Sequence, residues 1–287
     1  MNTQAALQGA ACSNWAASDL VSFQVDSPAL AVEPEGRLIR IETAHANENR
    51  IAANELLNER YHWRGYGAVS LPVDAASHCL PLTASREGKV IGTLTVNFDS
   101  ARGLNCDDTF PEEVAALRSS GQGLCEFTKL AVDSGVASTQ VLAALFHVAF
   151  LAAWHFEHVD TLLLEVNPRH VRYYRRMLGA RVLAVARLNR RVSAPAVLLA
   201  IATVDVRRWI DKCSSPFMAA AANDAQDDEA ASGFATDLDA RTLYGRAFNR
   251  TEEAAILSRL AQEWPPSAPF AFRLPNSLDS SGSASLN

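Results

Sequence analysis

The sequence predicts an α/β fold built around a mixed β-sheet that is flanked by helices. Two β-like runs, residues 79–85 and 90–98, are separated by Glu87-Gly88, a pair that favours a hairpin turn. A strand–helix–strand–helix order follows over residues 124–179, and two more β-like runs come after it. This order is typical of a mixed α/β layout.

Turn and cap residues mark where the predicted elements begin and end. Pro111 and Pro168 suit a first helical turn, where the N–H that proline lacks is not needed, and Ser138 suits an N-cap. Gly179 is typical of a helix end. The predicted elements are helices at 47–58, 111 to about 121, 138 to about 156 and 168–179, and strands at 79–85, 90–98, 124–132, 159–166, 181–189 and 194–204.

Composition divides the chain into three parts. With 287 residues, 48% of them apolar and 20% charged, the chain fits one sizeable globular domain with additions. We expect a flexible arm at residues 1–38 and the folded domain at 39–212. Residues 213–287 read as a linker rich in Ala, Asp and Ser, a short helix at 252–263 and a disordered polar tail.

Charge, cysteine and hydropathy patterns exclude several classes of protein. The formal net charge of −6 argues against nucleic-acid binding. The five cysteines are odd in number and form no C-x-x-C pair, and no histidines form a ligand pair, so neither a disulfide framework nor a metal site is expected. No signal-peptide pattern and no apolar run of about 20 residues occurs, so we expect no integral membrane segment and a cytoplasmic location.

Two segments carry the residues suited to chemistry. The first reads Glu126-Phe-Thr128-Lys129-Leu-Ala-Val-Asp133, and the second reads Glu165-Val-Asn167-Pro-Arg-His170-Val-Arg-Tyr173-Tyr174 and ends at Gly179. In a strand–helix–strand–helix unit the two strands can be parallel neighbours, and where they diverge their backbone amides form a cleft. Such amides can bind a thioester carbonyl and the amide groups of a pantetheine arm.

These motifs resemble a known family. The phrase N-P-x-H-x-x-Y-Y-x-x-x-x-G resembles the late motif of the GNAT superfamily. The longer stretch from Gly88 through Leu117-Arg118 to Asp133 is similar to the long-chain N-acyl amino acid synthases, bacterial relatives of the acyl-homoserine-lactone synthases. The resemblance covers roughly residues 45 to 205. It implies a GNAT-like mixed central sheet and an N-acyltransferase that joins a fatty acyl group to the amine of an amino acid.

Glu126 and Tyr174 are the predicted catalytic residues. A carboxylate in an apolar strand tends to have a raised pKa and can act as a base near neutral pH, although Glu126 could instead face outward. In similar GNAT enzymes a tyrosine at the position of Tyr174 protonates the leaving thiolate, whereas a packing aromatic is the simpler interpretation. No covalent intermediate is needed, so no cysteine is assigned as a nucleophile.

Four residues are predicted to bind substrate: Arg60, Arg64, Lys129 and Asn167. The homoserine-lactone synthases have an arginine and aromatics in a segment similar to the one holding Arg60 and Arg64, and arginine suits carboxylate binding; surface salt bridges are the alternative. Lys129 is three residues after Glu126, so on a regular strand it faces the opposite side, and a solvated lysine is the alternative. A β-bulge here would change that direction.

The loop after residue 132 indicates which acyl donor is used. CoA-dependent GNAT enzymes usually carry an Arg/Gln-x-x-Gly-x-Gly/Ala loop whose amides grip the CoA pyrophosphate. Here the loop reads Asp133-Ser-Gly135-Val-Ala-Ser138, with an anion at its start and one glycine. Acyl carrier protein, which has a phosphodiester and no pyrophosphate, is therefore the expected donor. It would supply the phosphopantetheine, and no separate cofactor is expected.

A run of arginines suggests where such a carrier docks. No acidic side chain occurs between Glu165 and Asp205, and that stretch holds eight arginines. Arg169, Arg172 and Arg176 recur at three- and four-residue spacing, so they share one helix face. Carrier proteins are acidic, and we expect this face to bind them; a solvated arginine face is the alternative.

Three other functions compete with this prediction. A CoA-dependent acetyltransferase is disfavoured by the loop at Asp133. An acyl-homoserine-lactone synthase that uses S-adenosylmethionine is disfavoured by Thr128-Lys129, because those enzymes carry Ser-Arg there. A non-catalytic acyl-binding module with a GNAT fold is disfavoured by the joint presence of Glu126, Asn167 and Tyr174.

Overall fold

A computed structural model describes residues 23–25, 39–44, 47–63, 65–71, 78–135, 138–213, 243–246, 248 and 250–263. Most of the predicted arm at 1–38, the predicted linker and the predicted tail lie outside the described residues, and so does Arg64. The described part holds the predicted helices and strands together with several elements that the sequence patterns did not predict.

The strands are β1 (Phe23–Val25), β2 (Ile39–Thr43), β3 (Cys79–Arg86), β4 (Lys89–Phe98), β5 (Leu124–Val132), β6 (Thr161–Val166), β7 (Arg181–Asn189) and β8 (Ala194–Ala202). The helices are α1 (Asn47–His62), α2 (Pro111–Ser119), α3 (Ser138–His155), α4 (Val171–Leu178), α5 (Thr203–Cys213) and α6 (Arg250–Glu263). Short 3-10 turns occur at Asn105–Asp108, Pro168–His170 and Leu243–Arg246.

The strands form one sheet in the order β1-β2-β3-β4-β5-β6-β8-β7. Among the described strands, the β5–β6 pair alone is parallel, and the other neighbouring pairs are antiparallel. The α/β prediction with a mixed central sheet is therefore confirmed. β1 and β2 were not predicted, and β1 lies within the stretch that was expected to be a loose arm.

Helix α5 replaces the end of a predicted strand. The sequence pattern continued the last strand to residue 204, but Thr203 begins α5. The Thr203 hydroxyl donates a hydrogen bond to the Val159 carbonyl at 2.6 Å, which ties the start of α5 to the beginning of β6. Val206 and Ile210 on α5 are buried in the core, so tertiary packing, not local propensity, defines this helix.

The two faces of the sheet are covered by different helices. On one face, α3 packs its apolar residues against Cys125, Phe127 and Leu162. On the other face, α2 packs through Val114 and Leu117, and α1 packs through Ala53 and Leu57 against Val90 and Ala131. We call these the α3 face and the α1/α2 face. Successive side chains of a strand point to opposite faces of the sheet, so each one packs with the helices of one face only.

The described residues after α5 belong to the same core. The side chains of Leu243, Tyr244, Phe248, Ile256 and Leu260 are buried with those of α3 and α5. They cover the outer side of α3, which explains why this helix is apolar almost all round. Described residues between 243 and 263 therefore pack against the folded domain that was expected at 39–212. The linker and the tail predicted for the rest of this region stay predictions.

No helix within the described ranges combines the length and the apolar character needed to cross a bilayer.

Candidate active site

β5 and β6 separate soon after they begin to pair. Their register joins Leu124 to Thr161, Cys125 to Leu162 and Glu126 to Leu163, and the described ladder ends there. β5 continues for six residues beyond Glu126 while β6 turns away at Val166. Backbone amides on the facing edges of the diverging strands thereby lack a strand partner and can bind a ligand. Glu126 lies at the point where this cleft closes.

A β-bulge redirects the side chains of β5 just beyond Glu126. The pairing with β4 slips between Thr93 and Thr95, which face Ala131 and Thr128, so β5 has one extra residue. Lys129 has a positive φ of 51°, as a bulge of this kind requires. Thr128 and Ala131 consequently lie on the same α1/α2 face although they are three residues apart. The bulge that sequence reasoning left open is therefore present.

Glu126 is a buried carboxylic acid. Its side chain is 1% exposed, and its Oε2 accepts a hydrogen bond from the Asn105 N–H at 2.9 Å. Burial and, after it, the nearby charge of Glu165 raise the pKa of Glu126, Arg191, Asn105 and Asn97 lower it, and the net result is a pKa of about 7. The outward-facing alternative for Glu126 is excluded.

An arginine holds the loop that presents Asn105 to Glu126. Arg118 on α2 donates to Asp99 at 2.7 Å and to Asp107 at 2.6 Å, one on each side of the loop. Asp107 in turn accepts the Leu104 N–H at 2.7 Å. Charge-assisted bonds of this kind are stronger than neutral ones, so they fix the backbone that contacts the carboxyl group.

Glu165 and Arg191 are site residues that sequence reasoning missed. Glu165 lies two residues past Leu163 on β6 and accepts hydrogen bonds from Asn189 at 2.7 Å and from Arg191. Arg191 also approaches Asp108 at 3.6 Å. Alternate residues of a strand share a face, so Glu165 lies on the same face as Leu163, which pairs with Glu126. The strand period would therefore have indicated Glu165 once the register of β5 and β6 was known.

Three buried polar atoms next to one another have no hydrogen-bond partner among the described residues. They are Glu126 Oε1, Thr128 Oγ1 and Thr95 Oγ1. Thr95 faces Thr128 directly in the ladder, and both lie on the α1/α2 face with Glu126. Leaving a buried hydroxyl unsatisfied costs about 1–3 kcal/mol. Such a cluster is typical of a site that is completed by a polar ligand.

Lys129 approaches this polar cluster. Burial lowers the pKa of its ammonium group, while the negative charge of Glu126 raises it and Arg191 lowers it. These interactions place the half-buried Lys129 side chain in the electrostatic neighbourhood of Glu126, as the bulge permits. The assignment of Lys129 to substrate binding stays a prediction.

The buried cysteines lack the properties of nucleophiles. Cys79, Cys106 and Cys125 are free thiols. Burial raises the pKa of Cys79 to about 11 and also raises the pKa values of Cys106 and Cys125. The thiolate is the reactive form, so these three groups are inert near neutral pH. Cys79 instead donates to Asn97 Oδ1 at 3.0 Å.

Tyr174 and Asn167 lie on the other side of the cleft. Tyr174 on α4 packs edge-on against Phe146 at 6.5 Å and against Tyr173 at 5.4 Å. Asn167 follows β6 directly, and its Oδ1 accepts the Arg169 N–H at 3.2 Å, so it caps the turn that leads into α4. Their assignments to catalysis and to substrate binding stay predictions.

The arginines divide into two groups. Arg187 binds Glu113 and lies over the Phe110 ring, and Arg191 binds Glu165, so these two face the α2 side. Arg169, Arg172 and Arg176 are exposed where the chain leaves β6. Arg60 lies on α1. The Gly135 N–H, Lys89 and, as the smallest contribution, the charge of Arg60 lower the pKa of Asp133, which follows β5. The assignment of Arg60 to substrate binding stays a prediction.

Comparison with known proteins identifies the family. The sequence model of the family described as "FeeM: N-acyl amino acid synthase FeeM" matches residues 52–202, slightly more than half of the chain. The chain belongs to the FeeM family of N-acyl amino acid synthases. The protein is therefore an N-acyltransferase that uses an acyl donor and an amino acid.

One solved structure shares this fold, and two others are less similar to the chain. The structure of FeeM, an N-acyl amino acid synthase from uncultured soil microbes, is 24% identical with a TM-score of 0.52 and covers 58% of this chain and 93% of that one. The AHL synthase LasI is 14% identical with a TM-score of 0.44, over 58% of this chain and 91% of that one. An acyl-CoA N-acyltransferase from Pseudomonas aeruginosa is 16% identical with a TM-score of 0.41, over 57% and 99%. No curated protein matches the chain in sequence.

The residues that match the FeeM family include those of the cleft and leave out the C-terminal residues of the core. Glu126, Lys129, Glu165, Tyr174 and Arg191 all lie within residues 52–202. The buried residues at 243–260 lie outside that range. Within the part of the chain that the structure describes, no three metal-binding side chains come together.

Proposed function

We propose that this FeeM-family enzyme transfers a long-chain fatty acyl group from acyl carrier protein to the amine of an amino acid. The observation that carries the proposal is the buried Glu126 carboxyl group at the closed end of the β5–β6 cleft. With a pKa of about 7, this group can accept a proton near neutral pH, as general-base catalysis requires.

The reaction is an aminolysis. The amine nitrogen attacks the thioester carbonyl carbon, the C–N bond forms and the C–S bond breaks. Glu126 takes the proton that the nitrogen loses, and Tyr174 returns a proton to the leaving sulfur, which departs as the pantetheine thiol. Backbone amides of β5 between residues 126 and 129 stabilise the negative oxygen. The carrier brings the pantetheine, so no separate cofactor takes part.

The amino acid binds on the α1/α2 face. Thr95 and Thr128 present unpartnered hydroxyls beside Glu126, and Lys129 adds a positive charge. A lysine ammonium attracts a carboxylate, and the hydroxyls can donate to it or accept from the amine. This arrangement holds the amine near the base on the face opposite the apolar α3 side.

The loop after β5 favours a carrier-protein donor over CoA. Asp133 accepts the Gly135 N–H at 2.9 Å and pairs with Lys89 at 2.6 Å. A carboxylate thus already uses an amide that would otherwise be open to a pyrophosphate. Arg60, close to Asp133, is the residue we expect to contact the single phosphodiester of the pantetheine arm.

Product analysis tests the proposal. Expression in a plain bacterial host, followed by mass spectrometry of lipids and amines, should reveal N-acyl amino acids that a Glu126→Gln strain lacks. Acetylated amines alone would indicate a CoA-dependent acetyltransferase, and acyl lactones would indicate a homoserine-lactone synthase. Either result, or no new product, would contradict the proposal.

The pH dependence should follow the charge around Glu126. The base works only when deprotonated, so kcat/KM should rise with pH and level off above about 7. Glu165→Gln removes a negative charge that raises the pKa of Glu126, so the rising limb should move to lower pH. Arg191→Gln removes a positive charge that lowers it, so the limb should move to higher pH. Shifts in the same direction, or none, would contradict Glu126 as the base.

Charge reversal on α4 should weaken the carrier interaction. Arg172→Glu with Arg176→Glu should raise the KM for acyl carrier protein, and more strongly at low salt, because exposed charges act mainly on association and are screened. Turnover with a small acyl-pantetheine should change little. Arg208→Glu with Arg259→Glu, which alters the net charge equally on α5 and α6, is the control. An equal loss with both donors would assign the arginines to folding or chemistry.

A further inference from the structure

Three polar side chains lie side by side across strands β3, β4 and β5. In the ladder, Cys79 is directly opposite Asn97, and Asn97 is directly opposite Glu126. Residues that face each other in this way point to the same face of the sheet, with Cβ atoms about 5 Å apart. Asn97 therefore lies between the Cys79 thiol and the Glu126 carboxyl group on the α1/α2 face.

The Cys79 thiol fixes the direction of the Asn97 amide group. Its Sγ donates a hydrogen bond to Asn97 Oδ1 at 3.0 Å. An asparagine side chain has a carbonyl oxygen on one side and an NH₂ group on the other, so this bond directs the NH₂ group away from Cys79 and toward Glu126. Burial raises the pKa of the Cys79 thiol to about 11, so the sulfur keeps its proton and acts as a donor.

The effect of Asn97 on Glu126 agrees with this direction. The Asn97 side chain lowers the pKa of Glu126, as an N–H donor facing a carboxylate does, whereas an amide oxygen in the same place would repel the charge. Glu126 Oε2 accepts the Asn105 N–H, but Oε1 is buried without a partner among the described residues. A neighbouring NH₂ group therefore matters for the ionised form.

The other titratable groups around Glu126 come from β5, β6, the first 3-10 turn and the turn between β7 and β8. They are Lys129 and Cys125 on β5, Glu165 on β6, Cys106 in the 3-10 turn and Arg191 after β7. Asn97 differs from them because it is uncharged and does not titrate. Its contribution can therefore be removed without changing the net charge of the site.

We propose that Asn97 is a positioning residue for the reaction: fixed by Cys79, its NH₂ group holds the ionised Glu126 carboxylate in place and keeps it available as a base at neutral pH. This inference rests on the proposed role of Glu126 as the base. Asn97 acts through Glu126, and Cys79 acts through Asn97. Without the donor, more of the enzyme holds Glu126 in its protonated form, which cannot accept the proton of the amine.

The pH profile of kcat/KM for N-acyl amino acid formation tests the role of Asn97. Asn97→Leu removes the NH₂ group and keeps the side chain about the same size, so the rising limb should move to higher pH by about one unit. Activity should then fall about fivefold at pH 7 and change little at about pH 9. Asn97→Asp places a second carboxylate opposite Glu126, so the limb should move further in the same direction.

Two substitutions of Cys79 test the role of the thiol. Cys79→Ala removes the donor, so the amide can turn its oxygen toward Glu126, and the limb should again move to higher pH. Cys79→Ser keeps a hydrogen-bond donor at this position, so its limb should stay where the wild-type limb is. If Cys79 served packing alone, neither variant would shift the limb.

Asn58→Leu is the matched control. Asn58 is another half-buried asparagine, on α1, and its Oδ1 accepts the Val69 N–H at 2.8 Å, so its loss should lower stability and leave the limb in place. The inference would be overturned by an unshifted limb in Asn97→Leu or, if that variant does not fold, in Asn97→Asp. Equal limbs for Cys79→Ser and Cys79→Ala, or an equal shift in Asn58→Leu, would also overturn it. A wild-type profile without a rising limb, or no N-acyl amino acid from the wild-type protein, would instead refute the proposed function itself.

Discussion

Glu126→Gln should lower turnover by about 10²–10⁴-fold, the range expected when a general base is lost. Glutamine keeps the shape of the side chain and can still accept the Asn105 N–H through its carbonyl oxygen, but it cannot take up the proton of the amine. Because the amino acid and the thioester still have their binding groups, we expect the loss in kcat and little change in KM.

The same substitution should change stability in a pH-dependent way. Folding raises the pKa of Glu126 from 4.5 to about 7, so the native state binds this proton more tightly than the unfolded chain does. The stability that this provides is present below pH 4.5 and is lost as the pH rises through 7. The loss is about 3 kcal/mol. Glutamine does not titrate. As the pH rises from below 4.5 to 8, the free energy of unfolding of the variant should therefore increase by about this amount relative to that of wild type.

Two measurements separate chemistry from folding. Urea unfolding across pH follows the stability difference, and steady-state assays with acyl donor and amino acid follow turnover. Glu42→Gln is a matched control, because Glu42 is another buried carboxylate, on β2, where it accepts a hydrogen bond from Asn49 at 2.9 Å. Its replacement should leave turnover near the wild-type value. Wild-type turnover in a folded Glu126→Gln protein would refute Glu126 as the base.

Truncation after Lys212 should abolish cooperative unfolding. Among the described residues it removes five buried apolar side chains, Leu243, Tyr244, Phe248, Ile256 and Leu260, and it exposes the outer side of α3. Burying each such side chain contributes about 1.5–3 kcal/mol, and their sum is comparable with the whole net stability of a typical domain, about 5–15 kcal/mol. His147 and Arg207 also lose Glu253 as a partner.

A second truncation, after Glu263, tests whether α6 is responsible. It keeps every described contact of the C-terminal segment, so we expect an unfolding midpoint close to that of the full chain. Thermal and urea unfolding, each followed by circular dichroism and tryptophan fluorescence, provide the comparison. If the shorter chain ending at Lys212 unfolded cooperatively at the wild-type midpoint, residues 243–263 would not be part of the stabilising core.

Local sequence patterns predicted most elements because their signals are local. Pro111, Pro168 and Gly179 act through their own backbone preferences, and the structure has helices beginning and ending next to them. α5 and β2 were missed for the opposite reason. β2 depends on its pairing with β1 and β3, and α5 is defined by the buried positions of Val206 and Ile210. Both therefore depend on distant parts of the chain.

For the site, the sequence by itself determined the family motifs and one buried carboxylate at the divergence of two parallel strands. The tertiary structure decided the rest: the bulge at Lys129, the approach of Glu165 and Arg191, the unpartnered hydroxyls of Thr95 and Thr128, and the packing of the C-terminal residues against the core. The physical reason is distance along the chain. A motif records which groups are present, whereas the pKa of Glu126 and the shape of a cavity depend on desolvation and charges that only folding brings within a few ångströms.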